Sequence, residues 1–562
     1  MKRRISTLPT SNVVLGYKDI LGVDSPTNRL GLIKNISKDH IIAELAGLNF
    51  RLKGRFSKEV DSSIYAQQRE LLYFCGGDKR LANKYITAIN QLVDGKKTNL
   101  FSRQSCMFGI EEVLRSDIAV IPDYKMSPPV WEPLLQYLFC VNEHISKQKQ
   151  PKEGETVTFE SLNPKLLPLG ESILLNDPLY IMHRGLKLMD YFVSNAELKD
   201  HLTAYFNEVY TISYERFIFE LLQMFFANEH LNKDMNFYYI IQEDHALKFL
   251  FDILSKRFDQ AETIKLLDIR RGPFYHRDKG HYVLADNSIL LDKAYQQFIN
   301  DFWFDYLKGK NKSNGKEFKF QDYKSIIGYF FEDYVREIFN YSFYQRGDYV
   351  IKMFNELKIK TKKQEGEGSD IYIRHFRKVL LAEVKSVSLY DNEKYGGTID
   401  ALYKNDRDKF FESFGVDQLV NNIKNIATTA QVVDPEFDSQ NKIRIWPVII
   451  FNDKALQAPL MAEVFNKRFR ELLGSDYKRK GIYVYRLNLM HVGDLEQMQG
   501  ALNKNPDHLW SLLSYNLRSR FLPPFYNTLN RNHIKHDYSI VRKRVVPIFE
   551  AFGAKENNRV KR

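Results

Sequence analysis

Over most of the first 310 residues, apolar side chains recur at the three-to-four-residue spacing of a helix face. The clearest stretches are 64–93, interrupted at Gly76–Gly77, then 179–193 and 205–226; the second follows Asp177–Pro178, which suits a helix start. The polar stretch at 147–155 (KQKQPKEGE) reads as a loop and a subdivision near residue 150, and 308–316 (KGKNKSNGK) as a solvated linker and domain boundary. After it the pattern changes. Residues 322–341 carry a helical stripe of Ile327, Phe331, Tyr334, Val335 and Ile338, and 349–360 alternate like a strand. A turn at 366–370 leads into two strands, 371–373 and 379–387, joined by the short basic connection 374–378. An amphipathic helix follows at 416–427, with Val416, Leu419, Val420, Ile423 and Ala427 on one face. Then come a buried strand at 443–451, a helix at 460–473 and an alternating strand at 482–489. The order α-β-β-β-α-β-α-β predicts an α/β domain over 317–490, a mixed sheet flanked by helices. Before it lies a large, mostly α-helical region, 1–310, and after it a short helical, basic segment, 491–562.

The length, 562 residues, suits two to four domains, and a hydrophobic fraction of 44% is ample for packed cores. The formal net charge of +12 favours polyanionic partners, though it is spread along the whole chain. The cysteines Cys75, Cys106 and Cys140 are scattered and odd in number, which argues against a zinc site or a disulfide framework and fits a reducing cytoplasm. The basic start (Lys2, Arg3, Arg4) is followed by no apolar core of a signal peptide, and no run reaches the roughly 18 apolar residues of a membrane helix. A cytoplasmic protein with no membrane partner is therefore expected.

The informative segment is GSDIYIRHFRKVLLAEVKSVS, residues 368–388. It sets Asp370 at a strand start and Glu383-Val384-Lys385 in the next strand. Strand side chains alternate, so Glu383 and Lys385 share a face with Val379 and Leu381. Charges in a strand otherwise so apolar are costly unless paired or bound to metal. Asp370 and Glu383 offer the hard oxygens that suit Mg²⁺, with Mn²⁺ a substitute, and a backbone carbonyl such as that of Val384 could add a ligand. Lys385 could hold the attacking water and steady a scissile phosphate.

This Asp…Glu-x-Lys pattern resembles the PD-(D/E)xK, or restriction-endonuclease-like, nuclease superfamily over roughly residues 320–490, with Ser369 where the family name has Pro. The resemblance implies an αβββαβ core and Mg²⁺-dependent hydrolysis of phosphodiester bonds. DNA stands ahead of RNA as substrate because most members cut DNA, and an endonuclease in restriction or phage defence is one setting for it. It also implies that Glu332, in GYFFEDYV, is a third acidic metal ligand beside Asp370 and Glu383. Gln418, in GVDQLVNNI, takes the polar position near the site, where it could orient a water or contact a phosphate.

Each of these residues also has an ordinary structural reading. Glu383 and Lys385 could be a same-face ion pair on an edge strand, and Asp370 a turn residue in GSD. Glu332 could be a solvated helix residue paired with Arg336, and Gln418 a surface amide. The protein as a whole could be a nuclease-fold module that binds nucleic acid without cutting, or a scaffold whose helical region engages a protein partner or a second copy. His276-Arg277-Asp278 looks like a kinase catalytic loop but lacks the required Asn, since Val283 stands there, and no Walker A sequence occurs. His276 and His281 flank a Gly-containing turn read as a hairpin tip. From Arg531 onward the basic residues Arg531, Lys535, Arg542, Lys543, Arg544, Lys555, Arg559, Lys561 and Arg562 face only Asp537, Glu550 and Glu556. That tail reads as a phosphate-contacting patch or a solvated tail.

Overall fold

The computed structural model describes residues 13–52, 64–92, 98–122, 132–146, 156–165, 167, 177–230, 237–255, 268–277, 280–361, 364–367, 369–387, 407–438, 442–474 and 481–559. Within these the chain forms two compact units. A sheet unit takes in Gln150–Pro164 and Lys319–Lys543. A helical unit takes in Thr10–Lys149, Lys165–Phe318 and Arg544–Arg562. The fold is mixed α/β.

The sheet unit is built on six strands: β1 (Val350–Met353), β2 (Ile371–His375), β3 (Lys378–Lys385), β4 (Ile443–Phe451), β5 (Ile482–Val484) and β6 (Asn488–His491). They run in the order β5-β4-β3-β2-β1, with β6 also on β4. The β3–β4 pair is parallel and the β3–β2 pair antiparallel, so the sheet is mixed. β3 and β4 occupy the middle and are buried along nearly their whole length, which is why both are mostly apolar rather than alternating, with Glu383 the one buried charge of β3. The helices used below are α1 (Phe320–Ser342), α2 (Val416–Lys424), α3 (Met461–Leu473) and α4 (Val492–Lys504).

Three expected elements are divided. The 349–360 strand stops at Met353, where Phe354 takes a left-handed φ of 51° and donates its N–H to the Asp370 carbonyl; Lys358–Thr361 then pairs with Gln364–Glu367 as a separate hairpin. The 416–427 helix ends at Lys424, and a second helix, Ile426–Val433, follows Asn425. The 482–489 strand is two strands, and Pro447 accounts for the gap. The Ile445 carbonyl faces outward to the Tyr485 N–H, so two residues on Pro447 faces the same way with no N–H to give. β5 ends before that point and β6 begins after it. Arg486 and Leu487 fill the break, Arg486 pairing with Glu463 and the Leu487 N–H donating to Asn466 Oδ1 at 3.1 Å.

The segment 491–562, expected as a separate C-terminal piece, divides between the two units after Lys543. Residues 491–543 pack within the sheet unit: α4 lies against α1, and the Tyr334 hydroxyl donates to Glu496 at 2.6 Å. The helix Ser539–Arg559 buries Val541, Val545 and Ile548, with Arg544 on Asp190 and Phe549 against Phe219. The basic run is therefore largely a folded helix with an apolar stripe, and among its cations Arg531, Lys535, Arg542 and Lys543 are exposed. Lys561 and Arg562, and the side chains of Lys555 and Arg559, lie outside the described residues.

The helical unit is helical as expected but also holds a three-stranded antiparallel sheet, Tyr238–Ile240, His281–Leu284 and Phe274–His276, of which the last two form the anticipated hairpin. Its interior carries a buried polar knot: Arg103 pairs with Asp286, and both bond Asn49. The lysine-rich 308–316 segment is largely exposed, and the sheet unit begins just after it at Lys319, but hydrogen bonds hold it in place. The Lys312 N–H donates to the Lys316 carbonyl at 2.7 Å, and Glu197 accepts from both the N–H and the hydroxyl of Ser313. The polar stretch at 147–155 lies outside the described residues. Cys75, Cys106 and Cys140 are free and buried, and no helix among the described residues is long and apolar enough to cross a membrane.

At the start of α4, Asp494 is buried and accepts the His491 N–H at 2.9 Å, while burial pushes its carboxyl up to about 7. The folded state therefore retains a proton that the unfolded chain gives up near pH 4, and stability falls as pH rises from there through about 7. Between pH 5 and 8 the loss should be on the order of 2 kcal/mol. Asp494→Asn should flatten that slope in denaturant unfolding; equal slopes in the two chains would refute it.

Candidate active site

β2 and β3 form a hairpin in which Ala382 pairs with Ile371, so Asp370, one residue before β2, comes opposite Glu383. The alternation of strand side chains puts both on one face. Asp370 is pinned twice: its Oδ2 accepts the Val384 N–H at 2.7 Å, and its carbonyl accepts the Phe354 N–H at 2.7 Å. Lys385, two residues past Glu383, returns to the same face. Its ammonium lies 3.2 Å from Glu383 Oε2 and 3.7 Å from Asp370 Oδ2, and donates to Gln418 Oε1 at 2.9 Å.

The helix α2 covers this face. Gln418 and Asn422, one turn apart, reach Lys385 and Glu383 respectively, with Asn422 Nδ2 donating to Glu383 Oε1 at 3.0 Å. Gln418 thus lies beside Lys385, with its amide oxygen engaged in holding the ammonium. Asn422 lies one turn from Gln418 on the same side of α2, and its hold on Glu383 is a contact the sequence does not show. Gly415, which caps α2 with φ 76°, was missed. A Cβ there would lie 2.5 Å from Lys385 Cε and 3.3 Å from Glu383 Cβ, so only glycine admits the helix this close. The sequence signal was a lone Gly immediately before an amphipathic helix.

Glu332 comes from α1, one turn after Gly328, where an added Cβ would meet Ser386 Oγ at 3.6 Å. It is half-buried, and Arg336, its partner in the ordinary structural reading, turns instead to Asp333. Burial, then the Asp370 charge, raises the Glu332 carboxyl above the usual range. Glu383 is 0% exposed, and burial followed by the Asp370 charge pushes it well above the usual range. For Lys385, burial opposes the charge, but Glu383 and Asp370 outweigh it and hold the ammonium above the ordinary lysine value. The cluster sets three carboxyl groups against one ammonium. Glu383 Oε2, though beside Lys385, accepts no well-aligned hydrogen bond. Among the described residues no group of three or more His, Cys, Asp or Glu is arranged to hold a metal ion. The close carboxylate pair is Asp370 with Glu383, and Glu332 reaches it through its charge.

That donor set fits a hard divalent cation. Two adjacent carboxylates, one with a buried and poorly satisfied oxygen, would hold Mg²⁺, which takes few protein ligands and keeps several waters. The two histidines of the small sheet are otherwise engaged, His276 stacked on Tyr282 and His281 hydrogen-bonded with the Tyr238 hydroxyl at 2.6 Å. Gly368 and Ser388, the ends of the motif segment, lie outside the described residues. No protein-family model, curated protein or solved structure matches the chain, so its chemistry has to be read from its own residues.

Gly415→Ala should lower stability by about 1–3 kcal/mol, through strain at a left-handed position and contact with Lys385. Chemical denaturation measures it, and a change under a few tenths of a kcal/mol would show that α2 can back away from the site.

Proposed function

We propose that the sheet unit is a metal-dependent nuclease that hydrolyses phosphodiester bonds, in DNA ahead of RNA, with Mg²⁺ as its ion and Mn²⁺ as a substitute. The observation that carries this reading is the Lys385 ammonium held between Asp370, Glu383 and Gln418 on one face of the sheet. A bound divalent cation would lower the pKa of a water and neutralise charge on the phosphate. Asp370 and Glu383 would hold it, and Glu332 would contribute through water. Lys385 keeps its proton, so it acts as a donor: it orients the attacking water and stabilises negative charge developing on the phosphate. Gln418 fixes the Lys385 head group, and Asn422 fixes the Glu383 carboxylate. Burial of Glu383 keeps bulk water from competing for these contacts.

A second reading is a module that binds nucleic acid without cutting it. It is favoured by the absence, among the described residues, of any three-residue metal-ligand group.

One experiment separates the two. Purified protein should nick or degrade plasmid DNA with Mg²⁺ or Mn²⁺ and stop with a chelator. Asp370→Ala and Glu383→Ala should abolish cleavage. Lys385→Ala should keep metal binding by calorimetry yet lose roughly 10²–10³ in rate, the usual cost of a lost transition-state donor. Glu332→Ala should be milder. A Lys385→Ala chain that cuts as fast as the parent sinks the nuclease reading.

A further inference from the structure

The opposite face of the sheet, at the other end of β3, carries a second constellation. The strand registers set His375 beside Lys378, Lys378 beside Arg444, and Arg444 beside Tyr483, so one row crosses four strands on one face. Lys378 has the other strand parity from Glu383, which puts the row on the far side of the sheet, roughly 17 Å along the strand from the Glu383 site. Two aromatic rings stand out into solvent around it: Tyr483 is 55% exposed and Phe376, at the hairpin tip, 77%. Phe376 holds a φ of 53°, as a two-residue hairpin turn requires of a central residue, and its ring rests against His375 at 4.5 Å between centroids with the rest of it open to solvent.

Behind these rings the aromatic surface continues. Tyr483 meets Tyr485 at 4.7 Å between centroids, and Tyr485 stacks on Trp446 at 4.4 Å. Trp446 is buried, and its indole N–H finds no acceptor among the described residues. The cations are interleaved with the rings. Arg377 and Arg444 are exposed, and the Lys378 ammonium lies 5.7 Å from the Trp510 ring centre. Two carboxylates also border the row: Asp507 lies 3.6 Å from Lys378 Nζ, and Asp348 lies 3.3 Å from His375.

We propose that this row is a binding platform for single-stranded nucleic acid. Phe376 and Tyr483 would stack unpaired bases, and Arg377, Lys378 and Arg444 would contact the phosphates. Exposed aromatic faces interleaved with cations are what a single strand needs: every base has a π-face to stack, while the backbone is drawn by charge. A duplex hides its base faces and could use only the cations. The platform lies apart from the carboxylate site and needs no metal, so it stands or falls separately from the nuclease reading.

The test is fluorescence anisotropy on the full chain in chelator, with a labelled oligothymidylate of roughly 15 nucleotides, a matched duplex, and thymidine monophosphate as competitor. The parent chain should bind the single strand. Phe376→Ala and Tyr483→Ala should each weaken it about tenfold while leaving duplex binding unchanged. Both side chains are exposed, so folding should survive, and circular dichroism checks this. Arg444→Gln should reduce the slope of log affinity against log salt by about 0.7. Any of four results would overturn the proposal. The first is a parent chain that does not bind the strand. The second is two alanine variants that bind within twofold of the parent. The third is weakening of single strand and duplex alike, which means charge without stacking. The fourth is competition by the monophosphate at the same concentration as the strand, which means a free-nucleotide site.

Discussion

Two carboxylates and one ammonium meet where the buried strand β3 ends beside the start of β2, and the arrangement around them follows from that. At an effective dielectric near 20, like charges about 4 Å apart repel by about 4 kcal/mol. Lys385 offsets part of this between Asp370 and Glu383, and Glu332 adds more negative charge from outside. Placing charge in the middle strands of a sheet is a poor way to gain stability. The surroundings limit the cost. The Val384 N–H binds Asp370, Asn422 binds Glu383, and Gln418 binds Lys385. A left-handed glycine brings α2 near enough to do so.

The sheet holds this cluster in register by means that lie well away from it. Tyr372 and Arg374, on the same face of β2 as Asp370, both bond Asp434, which ties β2 to the end of the helix Ile426–Val433. On the other side, the parallel pairing with β4 runs the full length of β3 and ends with Lys385 beside Phe451. The stop at Pro447 interrupts only the outer neighbours of β4 and leaves its inner edge continuous under the site.

Much of this was legible in the chain. The two-residue strand period set Glu383 and Lys385 on one face, and the brief 374–378 connection implied a hairpin that returns Asp370 to Glu383. Strand 443–451 is bounded as its apolar run suggests. What was hidden depends on partners far off in sequence or on backbone geometry. The break at Met353 needs Phe354 to bond Asp370. The division of 482–489 needs a proline in a different strand. The ordering of the lysine-rich 308–316 segment needs Glu197 to reach Ser313. The row from His375 to Tyr483 could not be read at all, because its members come from separate strands and only pairing registers align them.

The β2–β3 hairpin turns in two residues, Phe376 and Arg377. A residue added within the turn can be taken up as a longer loop or a bulge and leaves the pairing alone. One added between Lys378 and Glu383 has no such outlet: in a strand paired on both edges it would carry Glu383 and Lys385 through to the other side of the sheet. The tip can therefore vary in length, while the stretch from Lys378 to Lys385 can change only by substitution.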